Sequence, residues 1–276
     1  MNQLAIVPRP DLDFSPRDRA DLAEAVRLLE ENHLVTKIAA VVGSGLDRLL
    51  AMLPKGAEKI IQQATGRALQ MALAASVRLV DTGQGVTRWT WLARRLASPG
   101  FDKAAVALSG MAGGAAGLLG TAVELPVTTT MMFRTIVKIA IAAGENIASD
   151  EGRAECLKVF AFGGRAPGTD ESEVGYYAVR LALADMIGHT AGRTLQQVAP
   201  RLLSAVAARF GVPVTWKFAG QAVPGIGAVA GAMINVAFMD HFQHKARGHF
   251  TIRRLERTYG TERIRIAYEA ARVALG

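Results

Sequence analysis

The side chains best suited to chemistry gather toward the C-terminal end: Asp240, His241, His244 and His249. Two imidazoles and a carboxylate can hold a metal when they converge on one point. On a helix, His241 and His244 lie about 60° apart and Asp240 about 40° from His244, so those three share a face. His249 falls about 140° from His244 and does not join them. Asp240, His241 and His244 are therefore the candidate metal ligands. The competing reading is a polar helix exit whose rings meet solvent or anions, and no cofactor is expected.

Other reactive groups are few. Glu124, beside Pro126, reads as a helix-capping carboxylate or as a buried acid. The single cysteine, Cys156, excludes an internal disulfide framework and reads as buried filler in a reducing compartment. No GxSxG, phosphate-binding loop or HExxH occurs. The glycines between Gly110 and Gly120 make no dinucleotide fingerprint, because no strand precedes them.

Cations concentrate at the end of the chain. Residues 240–276 hold eight Lys and Arg against four Asp and Glu, half of the +8 excess. Arg253, Arg254, Arg257, Arg263 and Arg265 form the strongest cluster, readable as a salt-bridged surface or as one that meets anionic lipid. Trp89, Trp91, Arg94 and Arg95 make a second candidate surface for lipid or a partner. Nucleic acid is not expected, since few aromatics interleave with the basic residues.

The elements that must position these groups read as helices throughout. Half of the 276 residues are hydrophobic, only 6% are aromatic and 28 are Gly, a mixture suited to close helix contacts. Ser15, Pro16 and Asp18 announce a first helix. Further helices are expected over Val35–Leu53, Ala57–Val80, Glu151–Phe162, Glu173–Val198 and Pro200–Phe210, with two more after residue 239. Ala104–Val123 and Ala219–Met239 carry no charge. Within them Gly110, Gly113, Gly117, Gly120, Gly225, Gly227 and Gly231 mark stripes for close helix packing. The first run is expected to break at Glu124-Leu125-Pro126, with a new helix starting at Pro126. The expected fold is all-α: a multi-helix bundle with two Gly/Ala-rich apolar helical hairpins in its core, after a flexible tail over residues 1–15.

The string Leu118-Leu119-Gly120 through Glu124-Leu125-Pro126, then Phe133-Arg134-Thr135-Ile136 and Ile139-Ala140, resembles the core motif of EcsC-family bacterial proteins. So does Val223-Pro224-Gly225-Ile226-Gly227-Ala228, followed by Asn235, His249-Phe250, Arg253-Arg254-Leu255-Glu256 and Tyr259-Gly260. The resemblance covers most of residues 30–270 and makes Glu124, Arg134, Asn235 and His249 the family-motif polar positions. It implies a helical protein with no agreed catalytic residues, from a family named for a gene beside an ABC-transporter operon. Where the family pattern has a Tyr-Gly pair, this chain has Ala143-Gly144-Glu145.

Taken together, the residues point to a non-enzymatic helical protein associating peripherally with the inner membrane, through anionic lipid or a membrane-protein partner. A hydrolase or metal-dependent enzyme with a site at Asp240–His249 is one alternative, and a soluble adaptor is another. The N-terminal residues lack a basic region followed by an apolar core, so the cytoplasm is the expected compartment.

Overall fold

The computed structural model describes residues 14–31, 33–43, 45–81, 117–164, 175–187, 194–222 and 227–275. Trp89, Trp91, Arg94, Arg95, Gly110, Gly113, Gly225 and residues 1–13 of the tail expected over 1–15 lie outside the described residues. The described chain forms a multi-helix all-α bundle: α1 Pro16–Glu30, α2 Leu34–Val42, α3 Leu46–Ala51, α4 Ala57–Asp81, α5 Gly117–Ala142, α6 Asp150–Phe162, α7 Tyr176–Ile187, α8 Leu195–Gln221, α9 Gly227–Tyr259 and α10 Thr261–Leu275.

Local signals account for several boundaries. The Ser15 hydroxyl accepts from the Asp18 amide and Pro16 fills the first turn of α1. Phe14, just before this cap, is buried edge-on against Tyr259. The run expected as one helix over Val35–Leu53 is two, because Gly43 takes φ 70 and ends α2. The helix expected over Glu173–Val198 is also two, since Thr194 and Gln197 form a capping box that starts α8.

Two expected proline boundaries are overturned, at Pro126 and Pro200, and α8 runs on past its expected end at Phe210. Pro126 lies inside α5 rather than at the start of a new helix, and Pro200 and Pro213 lie inside α8. An interior proline removes one backbone bond and costs ~3 kcal/mol. Pro126 and Pro213 are buried, so packing around them offsets a cost that exposed helices could not bear. Hydroxyls lie nearby: Thr130 donates to the Pro126 carbonyl at 2.8 Å, and Thr215 to the Gly211 carbonyl at 2.8 Å.

Two apolar cores share one spine. The larger unites α2 through α8 with the first part of α9, around Phe133, Phe160, Phe210, Phe238 and Phe242. Their rings meet at centroid distances of 4.9 to 6.5 Å. The smaller joins α1, α10, Tyr176 and the last part of α9, through Ile252 and Leu255. At 33 residues α9 is about 50 Å long, enough to serve both. Two glycines permit its close neighbours: a Cβ on Gly248 would stand 2.6 Å from Leu29 Cγ of α1, and one on Gly220 of α8 would stand 3.1 Å from Ile234 Cδ1.

Candidate functional site: buried ion pairs beneath an apolar face

Where α5, α8 and α9 meet, the apolar core encloses charge. Lys217 is fully buried and donates from Nζ to Glu124 Oε2 at 2.6 Å. The other Glu124 oxygen accepts from Asn235 Nδ2 at 2.8 Å. One turn earlier on α5, Thr121 donates to Gln221 Oε1 at 2.7 Å. Glu124 is thus a buried acid in mid-helix and not a cap. Burial pushes the Lys217 pKa down, and the Glu124 carboxylate opposes that shift. Glu124 thus ties three helices through two charge-assisted contacts, one to Lys217 and one to Asn235.

Two of the tied helices, α5 and α9, each carry an exposed apolar stripe within two turns of the residue that joins the tie. Leu119, Val123 and Val127 follow one another at four-residue spacing on α5 and are 70%, 78% and 43% exposed. Val229 and Met233 do the same on α9, at 71% and 53%. Both stripes begin in the charge-free runs of the sequence. Gly120 is half-buried on α5 and Gly231 buried on α9. Among the described residues, only Leu119–Ala142 is long and apolar enough to cross a membrane, with mean hydropathy 1.3. Over half of its most apolar window, 56%, is already buried by protein.

A second polar cluster links α6, α7 and α9. Tyr176 Oη is hydrogen-bonded to His249 Nδ1 at 2.7 Å, and His249 Nε2 stands 3.0 Å from Glu155 Oε2. The latter approach is close but not aligned as a hydrogen bond. Burial disfavours charge on His249, with Glu155 opposing, and its pKa is lowered. Burial also opposes ionisation of Glu155, but His249, Lys158 and Arg253 outweigh it and hold its pKa far below the carboxylate range. An acid, an imidazole and a hydroxyl in line resemble a nucleophile relay. Here the hydroxyl is that of Tyr176, only 4% exposed and with its pKa raised by burial, so it holds no reactive oxyanion. The line acts as a strut.

The expected metal set does not converge. His241 is buried, with Nε2 3.1 Å from the Gly163 carbonyl oxygen, and burial lowers its pKa to about 3. His244 and Asp240 are half-buried, and His249 faces the α6–α7 side. None of these residues sits at a helix exit, because α9 runs unbroken through them. Among the described residues, no group of three His, Cys, Asp or Glu side chains could hold a metal ion.

The C-terminal arginines face partners within the molecule. Arg253 binds both Glu145 oxygens, at 3.0 and 2.7 Å, and reaches Glu151 at 3.0 Å. Burial raises the cost of charge on Glu145, yet Arg253 and Arg257 outweigh it and keep its pKa lowered. Glu145, in the position where the family pattern departs, is therefore an anchor for α9. Arg254 bridges Asp18 and Asp21 at 2.8 and 2.7 Å. Arg257 also donates to the Ala143 carbonyl at 2.6 Å, Arg263 covers the Phe14 ring, and Arg265 pairs with Glu262 at 2.9 Å. Arg134 is exposed on α5.

Sequence reasoning missed Lys217, Tyr176 and Glu155. A usable signal existed for the first: Lys217 is the only charge in residues 211–222, and Glu124 the only one in residues 104–133. Lone opposite charges in apolar helices are expected to find each other. No curated protein and no solved structure matches this chain. The model of the EcsC protein family matches residues 22–255, from the first turns of α1 to the end of the α9 strut, and the chain belongs to that family.

Proposed function

We propose that the chain is a non-enzymatic, peripheral membrane protein that docks on the cytoplasmic face of the inner membrane through the α5–α9 apolar stripes. The observation that carries this reading is the stripe pair itself: five large apolar side chains, 43% to 78% exposed, on two helices joined through Glu124 and Asn235. Fully burying such a side chain is worth about 1.5–3 kcal/mol. For five that are already partly covered, the gross gain is on the order of 5–8 kcal/mol, before association costs. That scale suits reversible docking. The buried half of α5 argues against a lipid-surrounded span, while the internal pairing of Arg253, Arg254 and Arg257 leaves apolar contact as the main attraction.

The hydrolase alternative finds its one support in the Tyr176–His249–Glu155 line, whose three side chains are all buried. Flotation with phospholipid vesicles tests the docking reading. Wild type should float, with little loss at high salt, and Val123→Glu should reduce flotation at least ~10-fold. The control is Val273→Glu on α10, at an equally exposed position, and it should float like wild type. Absence of flotation at every lipid composition would leave a protein partner as the occupant of the face and overturn the lipid reading.

A further inference from the structure

A pocket of about 120 Å³ opens where α1 ends, α2 begins and α9 passes behind them. Arg27, Glu31, His33, Lys37, His244 and Lys245 line it. The volume is well above the roughly 10–15 Å³ that admits one water. Three of the six are cations and one is an anion.

Each contributes in a defined way. Lys245 is 2% exposed and donates to the carbonyls of Leu29 at 2.6 Å and Glu31 at 2.8 Å. It neutralises the negative end of α1 and sets a fixed ammonium at the pocket floor. Glu31 is shared, accepting from Arg27 at 3.0 Å and lying 3.1 Å from His33 Nε2. Arg27 also binds both oxygens of Glu24, at 2.8 and 2.6 Å. His33 is the N-cap of α2 but makes no side-chain cap bond, so the positive end of that nine-residue helix meets the pocket uncapped by its own side chain. Lys37, one turn further along α2, is exposed at the rim.

Cations outweigh anions around the pocket's histidines. His244 is held below the ordinary histidine range by burial first, then by Lys37, with Arg247 and Arg27 adding and Asp240 opposing. Lys245 and Lys37 act in the same direction on the neighbouring His241, after burial. The amino end of α2, three side-chain cations and three imidazoles thus surround a small cavity against a single lining carboxylate.

From this geometry we infer that the pocket binds a phosphate group, as inorganic phosphate or a small phosphate monoester. Lys245 and the α2 amino end form its base, and Lys37, Arg27 and His244 its sides. The site is separate from the apolar face: His244 lies eleven residues beyond Met233, about 17 Å along α9. A headgroup of the lipid under that face does not reach it, so the ligand is a soluble one. The inference does not depend on membrane docking.

Histidine ring resonances of the full chain, titrated with inorganic phosphate, test it, with His244→Gln identifying the His244 signal. Phosphate should raise the His244 titration midpoint saturably, because a bound anion offsets the surrounding cations. Lys37→Glu should weaken binding about tenfold, while Lys59→Glu, an equal charge change on α4, should leave it unchanged. No saturable shift at tens of millimolar phosphate, or equal weakening by both variants, would overturn the assignment. Response to phosphatidic acid vesicles without response to inorganic phosphate would overturn the soluble ligand in favour of a lipid headgroup. The Val123→Glu variant separates the two readings, since it should lose flotation and keep phosphate binding.

Discussion

Replacing Lys217 by Met should destabilise the protein by about 3–5 kcal/mol, because it leaves Glu124 buried without its counter-charge. The two side chains are 0% and 5% exposed, with 2.6 Å between the charged atoms, so neither has water to fall back on. Total stabilities of about 5–15 kcal/mol make that loss a large fraction. Glu124→Gln should cost less. It keeps an oxygen for Asn235, and burial already lowers the Lys217 pKa, so the amine can shed its proton. The double variant removes both charges, keeps the amide contact, and should recover at least ~2 kcal/mol relative to the sum of the single losses. Urea unfolding followed by circular dichroism measures this, with midpoints compared at a constant slope. Coupling below ~0.5 kcal/mol, or a Lys217→Met variant within ~1 kcal/mol of wild type, would refute the claim that this pair ties α5 to α8.

Other outcomes follow from single contacts. Gly248→Ala should gain about 1 kcal/mol of helix propensity yet lose about 1–3 kcal/mol by pushing α1 from α9, for a net destabilisation in the same unfolding assay. Stability should fall as pH drops below 6.5, because unfolded His241 takes up a proton there while the folded ring resists until about 3. The slope is up to about 1.4 kcal/mol per pH unit for that group, and His241→Gln should reduce it between pH 6.5 and 5, before the lowered carboxylates titrate. Cys156 is buried and burial pushes its pKa up to about 12, so thiol reagents should modify it only after unfolding.

The helical character and several ends were legible because local rules decide them. Ser15, Pro16 and Asp18 mark α1, and α4 begins at the expected Ala57. The prolines misled because their cost is local and their compensation is not: Pro126 and Pro213 are carried by burial that no window of sequence shows. Glu124 was ambiguous for the same reason, as its partner Lys217 is 93 residues away. His249 likewise draws Tyr176 from 73 residues upstream and Glu155 from a third helix. The arginine cluster read as surface charge because its carboxylates, Asp18, Asp21 and Glu145, lie more than 100 residues earlier. Composition sees charges, and only the fold pairs them.

The central claim is that the α5–α9 apolar stripes meet lipid. A fluorophore placed by Val123→Cys reports on it directly, since native Cys156 is buried and should not compete for label. With vesicles carrying a spin label in their acyl chains, emission from position 123 should shift to the blue and be quenched. The same fluorophore at Ser204→Cys, exposed on α8, should change little. Equal responses at both positions, or no response at position 123, would contradict docking through the α5–α9 face.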